Sequence, residues 1–165
     1  MMTALLVLLV LGVMGAADTF YYHEWKLRLP ETPAARHELQ LHAARDFAYA
    51  IVFGSLGWIT WNGALVWPLV AVLVFEIVVT LTDFIEEDRT RKLPPGERVM
   101  HALMGITYGV FLSLLFPHAV GWGRMVSGFG AASYGVLSWI LTLFAAGVFI
   151  SGLRDLAASR RRQQV

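Results

Sequence analysis

Five long apolar runs limit this chain more than any motif does. They cover about Met2–Tyr22, Ala43–Trp61, Ala64–Thr82, His101–Phe116 (continued by Pro117–Val120) and Tyr134–Leu153. Each approaches the roughly 20 residues that an α-helix needs to cross a hydrocarbon layer. Backbone groups inside such a layer must bond to one another, so the runs are predicted as helices. At 57% hydrophobic and 15% charged residues, with mean hydropathy +0.60, the chain carries more apolar surface than one small aqueous core can bury. The expected class is an all-α polytopic membrane protein with two pseudo-repeated helical hairpins forming a four-helix bundle, plus a fifth transmembrane helix. The whole chain, residues 1–165, forms one integral membrane domain in this reading.

The charges suggest an orientation. If the five helices alternate, Lys26, Arg28, Arg36, Arg45, Arg89, Arg91, Lys92, Arg98, Arg154, Arg160, Arg161 and Arg162 fall on one side, and only Arg124 on the other. That asymmetry predicts a protein of the plasma (inner) membrane with its N-terminus outside and its C-terminus cytoplasmic. Trp58, Trp61, Trp67, Trp122 and Trp139 gather near the outer boundary, where indole rings favour the headgroup region. No Lys or Arg precedes Lys26, so the first run lacks the basic start of a signal peptide and is read as a retained helix.

The first four helices divide into two units, about 1–61 and about 64–120. In each, an aspartate, a cluster of His or Glu, basic residues and Leu-Pro lead into the pattern E-x3-H-x6-Y. It is written ELQLHAARDFAY from Glu38 to Tyr49 and ERVMHALMGITY from Glu97 to Tyr108. The fifth helix, about 134–155, has no charge between Tyr134 and Leu153 and is expected to face lipid or a membrane partner. Residues 156–165 form a cationic tail suited to anionic headgroups. The Gly-rich segment from His118 to Gly135 is expected to be an external loop with little order.

At about 100° per residue, Glu38, His42, Arg45 and Tyr49 form one stripe, and Glu97, His101 and Tyr108 form another. Glu76, Thr80, Asp83 and Glu87 give a third on the next helix, and Asp18 and Tyr22, with His23 beside them, a fourth. Polar stripes in lipid must face one another. They predict a funnel with Glu38, Glu97, Glu87 and His23 at the cytoplasmic mouth and His42, His101, Asp83 and Asp18 below. Tyr49, Tyr108 and Glu76 lie at the bottom. Glu76, nine residues past Trp67, falls roughly 14 Å from the outer boundary.

Asp18, Glu38, Glu76, Asp83, Glu87 and Glu97 share these stripes with one cation, Arg45. Leaving every carboxylate ionised and unpaired would be prohibitive. Three remedies exist: protonation, loop arginines folding inward, or metal ions. Four-helix bundles hold two irons or manganeses with Glu and Glu-x-x-His side chains turned inward, and Glu-x-x-x-His also places both groups on one face. With no cysteine, any metal must take nitrogen and oxygen ligands, which suits two iron, manganese or zinc ions better than magnesium or calcium.

The candidate metal ligands are Asp18, Glu38, His42, Asp83, Glu97 and His101. Tyr49, Tyr108 and Glu76 are the candidates for second-layer or proton-path roles in an oxidoreductase acting on a lipid-soluble substrate. Glu86, Glu87 and Asp88, among Arg89, Arg91 and Lys92, read as a solvated charge run, which makes Glu87 the weakest of the set. His37 is expected at the surface, and His118 is assigned no role.

Three further readings compete. A haem between His42 and His101 would make an electron-transfer protein. A cofactor-free funnel would handle protons or a polar headgroup through Arg45 and Glu76. A non-enzymatic subunit or scaffold would merely satisfy its own inner charges. Nucleic acid is not an expected partner, since no basic stripe is interleaved with aromatics.

Overall fold

The computed structural model describes residues 1–32 and 35–161; Pro33, Ala34 and the end of the expected cationic tail lie outside the described residues. The described residues form five long helices: α1 (Met2–Asp18), α2 (Arg36–Leu56), α3 (Val66–Thr90), α4 (Pro95–Gly123) and α5 (Val136–Arg161). α1 runs without a break into a π-helical segment, Thr19–Lys26. Two short strands, β1 (Ile59–Asn62) and β2 (Gly128–Ala131), complete the fold.

Among the described residues, four helical stretches are long and apolar enough to cross a membrane: Met2–Lys26, Gly63–Thr90, Pro95–Gly123 and Val136–Arg160. This is the pattern of a membrane protein. α2 is not among them because its first half carries Arg36, Glu38, His42, Arg45 and Asp46. It packs instead along both α3 and α5, while α1 packs along α4. Inward faces supply a core of Leu5, Leu8 and Leu11 from α1, Val52, Phe53 and Leu56 from α2, and Leu69 and Leu73 from α3. Phe111 and Leu115 from α4 and Leu141 from α5 join them. The outward faces are equally apolar, with Val10, Val74, Val78, Ile106 and Ile150 exposed. Helices apolar on every side suit a hydrocarbon solvent rather than water.

α5, expected to face lipid or a partner, buries one face inside the protein. It lies against α2, where glycines allow close approach. A Cβ on Gly57 would stand 3.4 Å from the Ser138 backbone, and one on Gly54 3.5 Å from Ala145. The Ser138 hydroxyl donates to the Gly57 carbonyl at 2.6 Å, fixing the contact. The opposite face of α5 exposes Trp139, Leu143 and Ile150.

The segment from His118 to Gly135 is also more ordered than expected. α4 continues through Pro117 to Gly123, and β2 then pairs antiparallel with β1, setting Ile59 opposite Ala131 and Trp61 opposite Phe129. One of the glycines that read as loop, Gly130, has a packing reason. A Cβ on Gly130 would press on Thr60 and come within 3.0 Å of Asn62. Gly63, at φ +57°, turns the chain out of β1 directly over Ser127. The sheet thus ties the α2–α3 connection to the α4–α5 connection at one end of the bundle. The ends of α1 and α3 and the starts of α2 and α4 meet at the other.

Gly12 marks a tight crossing of α1 with α2 and α5, since an added Cβ would lie 2.8 Å from Phe144 and 2.9 Å from Phe53. Gly12→Ala is expected to destabilise the bundle by about 1–3 kcal/mol. Gly109→Ala, with nothing within 4 Å of its Cβ, should change little; thermal unfolding of both variants in detergent checks the difference.

Candidate metal centre

Each helix of the bundle delivers two chemically active side chains to the end remote from the sheet. On α2, Glu38 and His42 are one turn apart, and Glu97 and His101 repeat the arrangement on α4; all four are buried. Glu38 and Glu97 occupy the first helical turns, where the positive end of the dipole favours a carboxylate. Asp83 and Glu87 project from the last turns of α3, 1% and 0% exposed. Glu87 is therefore no part of a solvated charge run. Its neighbour Asp88 does face solvent, with its side chain 68% exposed.

α1 contributes Asp18 and His23. Five residues on a regular α-helix are about 140° apart, which is why α-periodicity selects Tyr22 as the companion of Asp18. The π-helical turns from Thr19 widen the coil and bring His23 inward instead. His23 is 4% exposed, whereas Tyr22 is only half-buried.

The contacts join all four helices. His101 Nε2 lies 3.3 Å from Asp18 Oδ2, and His101 Nδ1 lies 3.4 Å from Glu87 Oε2. His23 Nε2 is 3.3 Å from Asp18 and 3.7 Å from Glu97. His42 Nε2 is 3.2 Å from Asp83 and 4.0 Å from Glu38, while its Nδ1 faces Asp155 of α5 at 4.0 Å. The rings of His23 and His42 stack at 4.6 Å, and Phe84 covers His101 at 5.2 Å.

Two arginines enter the cluster. Arg45 donates to Asp83 at 3.0 Å. Arg91, just past α3, folds back over the glutamates and donates from Nη2 to Glu97 at 2.7 Å, Glu38 at 2.8 Å and Glu87 at 3.0 Å. Burial opposes the charge of Arg91, but its hydrogen bonds to Glu97 and Glu38 outweigh that, so its pKa rises above the ordinary value. The inward-folding loop arginine weighed from the sequence is thus present.

It does not balance the site. Asp18, Glu38, Asp83, Glu87 and Glu97 face two guanidiniums, leaving three negative charges among the named groups. Three imidazoliums would neutralise them. However, parallel stacking of His23 on His42 at 4.6 Å sets two buried like charges face to face, which is costly away from water.

The donors can also hold a metal ion. Ligand atoms about 2.1 Å from one ion stand roughly 3.0–3.4 Å apart in octahedral or tetrahedral shells; His101 Nδ1 and Glu87 Oε2 meet that spacing at 3.4 Å, whereas His23 and Glu97 stand at 3.7 Å and His42 and Glu38 at 4.0 Å. His23 Nε2, His42 Nε2, His101 Nδ1 and Glu87 Oε2 are buried without any aligned hydrogen-bond partner. Among the described residues, two groups have their ligand atoms within 4.8 Å of one another: His23, Glu87, Glu97 and His101, and separately Glu38, His42 and Glu87. This buried group of His and Glu can hold a metal ion, and Glu87 is shared by both sets.

Of the six sequence-expected ligands, Glu38, His42, Glu97 and His101 belong to these groups, while Asp18 and Asp83 lie beside them, on His101 and His42, and belong to neither. His23 and Glu87 complete the donor sets, and Arg91 and Asp155 border them. Glu76, Tyr49 and Tyr108 lie apart, nearer the middle of the bundle. Thr80 donates to Glu76 Oε1 at 2.8 Å, Tyr108 to the Leu73 carbonyl at 3.3 Å, and the tyrosine rings meet edge to face at 6.2 Å. His37 is exposed beside Glu86, as expected, whereas His118 sits within α4 rather than in a loop. Compared with protein-family models, curated proteins and solved structures, the chain matches none.

Arg91→Met leaves three buried carboxylates without their common donor. It is expected to cost about 3–5 kcal/mol, read as a fall in detergent thermal stability that Arg89→Met, on an exposed side chain, does not reproduce.

Proposed function

We propose that the bundle holds two transition-metal ions bridged by Glu87, and that the protein is a membrane oxidoreductase acting on a lipid-soluble substrate. The membership of Glu87 in both donor sets carries this reading. One ion would take His23, Glu97 and His101, the other Glu38 and His42. Asp18, on the far nitrogen of His101, would orient that ring as carboxylates do behind metal-bound histidines. Nitrogen and carboxylate donors without thiolate favour iron, with manganese and zinc as chemical neighbours. Bound metals would supply Lewis acidity and, for iron or manganese, electron exchange. The chain's own contribution is to fix the donors and exclude water. Glu76, Tyr49 and Tyr108 stand on the inner side of the centre as groups able to hold or pass a proton.

The internal repeat belongs to the same proposal. Exchanging α1 with α3 and α2 with α4 converts the α1–α4 pairing into α3–α2, and both pairings are present. The exchange also relates Asp18 to Asp83 and His23 to Glu87. With positive residues concentrated at the site end, the centre would face the cytoplasm, with the N-terminus outside.

A haem between His42 and His101 is less well supported, because Glu87 belongs with each histidine in turn and so stands between them. The competing reading with a specific observation behind it is a metal-free charge network. There Arg91, Arg45 and protonated histidines satisfy the carboxylates, and the protein serves as a subunit or scaffold.

Elemental analysis of protein purified from metal-supplemented cells separates the two. Two transition-metal ions per chain are expected for the wild type, at most one for Glu87→Gln and none for His42→Ala/His101→Ala. A wild-type value below one rejects the centre.

A further inference from the structure

We propose that the gap between α3 and α4 is the port through which a membrane-dissolved amphiphile brings its carboxylate head to the edge of the centre formed by Glu87 and His101. The inference rests on the two-metal reading. The gap is a cavity of about 240 Å³, bordered by Phe84, Glu87 and Asp88 of α3, Leu93, and Arg98, His101 and Ala102 of α4. α1 packs along α4 and α2 along α3 and α5, whereas α3 and α4 touch little, and the cavity lies where these two helices part.

Polar atoms with nothing to bind point to a ligand there. Glu87 Oε2 and His101 Nδ1 are buried, 3.4 Å apart and without an aligned hydrogen bond, and both residues line this cavity. A metal held between them would present its open side to the gap.

The walls describe the ligand. Phe84, Leu93 and Ala102 are apolar, and Leu81, Ile85, Leu103 and Ile106 of the same two helices are exposed on the outer surface. A hydrocarbon tail could lie along them in lipid while the head reached inward. At the rim, Arg98 pairs with Asp88 across the two helices at 3.5 Å, the side chains 64% and 68% exposed. An ion pair so exposed contributes little, so Arg98 can exchange Asp88 for an incoming carboxylate at small cost. A neutral alcohol of the same length offers Arg98 no such exchange.

The test uses full-length protein in detergent loaded with Co2+, whose visible absorption reports changes in its ligands, titrated with decanoate and, in parallel, decanol. Decanoate should shift the band and decanol should not. Ala102→Trp places an indole over the mouth from an exposed position; it should raise the half-saturating decanoate concentration at least tenfold with Co2+ content unchanged. Leu103→Trp, exposed beside it but outside the cavity, should behave as wild type. Arg98→Gln should weaken decanoate by about threefold. A wild-type protein that holds Co2+ but ignores decanoate overturns the port, and so does an Ala102→Trp variant that responds as wild type. Failure to hold Co2+ at all overturns the two-metal reading itself.

Discussion

The structure is organised around negative charge held where water cannot screen it. Asp18, Glu38, Asp83, Glu87 and Glu97, each no more than 2% exposed, converge from four helices whose outer faces are apolar. In such surroundings each carboxylate demands a partner, and the bundle's connections answer that demand. The α3–α4 turn sends Arg91 back across three glutamates, the π turns at the end of α1 rotate His23 inward, and α2 supplies Arg45. Hydrophobic packing alone would leave the mutual rotation of apolar-sided helices weakly specified. The charge cluster fixes it, because a helix turned by even one residue would expose an acid to lipid.

The same arrangement limits the ways of neutralising the site. Arg91 donates to both oxygens of Glu38 and of Glu97 but to only one oxygen of Glu87, while the other oxygen of Glu87 and the facing imidazole nitrogens remain without aligned hydrogen bonds. Proton sharing among the histidines conflicts with the stacked His23 and His42 rings. The pocket itself gathers nitrogen and oxygen donors from different helices and can hold a metal ion.

Much of this was legible in the sequence. The apolar runs gave the helices, and two copies of E-x3-H located α2 and α4 of the centre, because a four-residue spacing keeps both side chains on one face. Glu87 was hidden by its company: in EEDRTRK, side-chain charge alone does not separate the residue that turns inward from the neighbours that do not. His23 was hidden by the π segment, which no α-periodic reading anticipates. Arg91 entered only as an unnamed option, since a residue just beyond a helix has no fixed face until the loop is built. Asp155 sits after a long uncharged run on α5, and its approach to His42 depends on the close glycine packing of α5 on α2. The pairing of β1 with β2 was masked because glycine is the common signature of loops and of crowded strands alike.

That small sheet has a mechanical consequence. It staples the two far connections together, while Arg91 bridges α2, α3 and α4 at the opposite end, so the bundle is laced at both ends like a sack tied twice. Loss of charge at the Arg91 knot would therefore be felt in the spacing of those three helices, while the sheet end keeps its register.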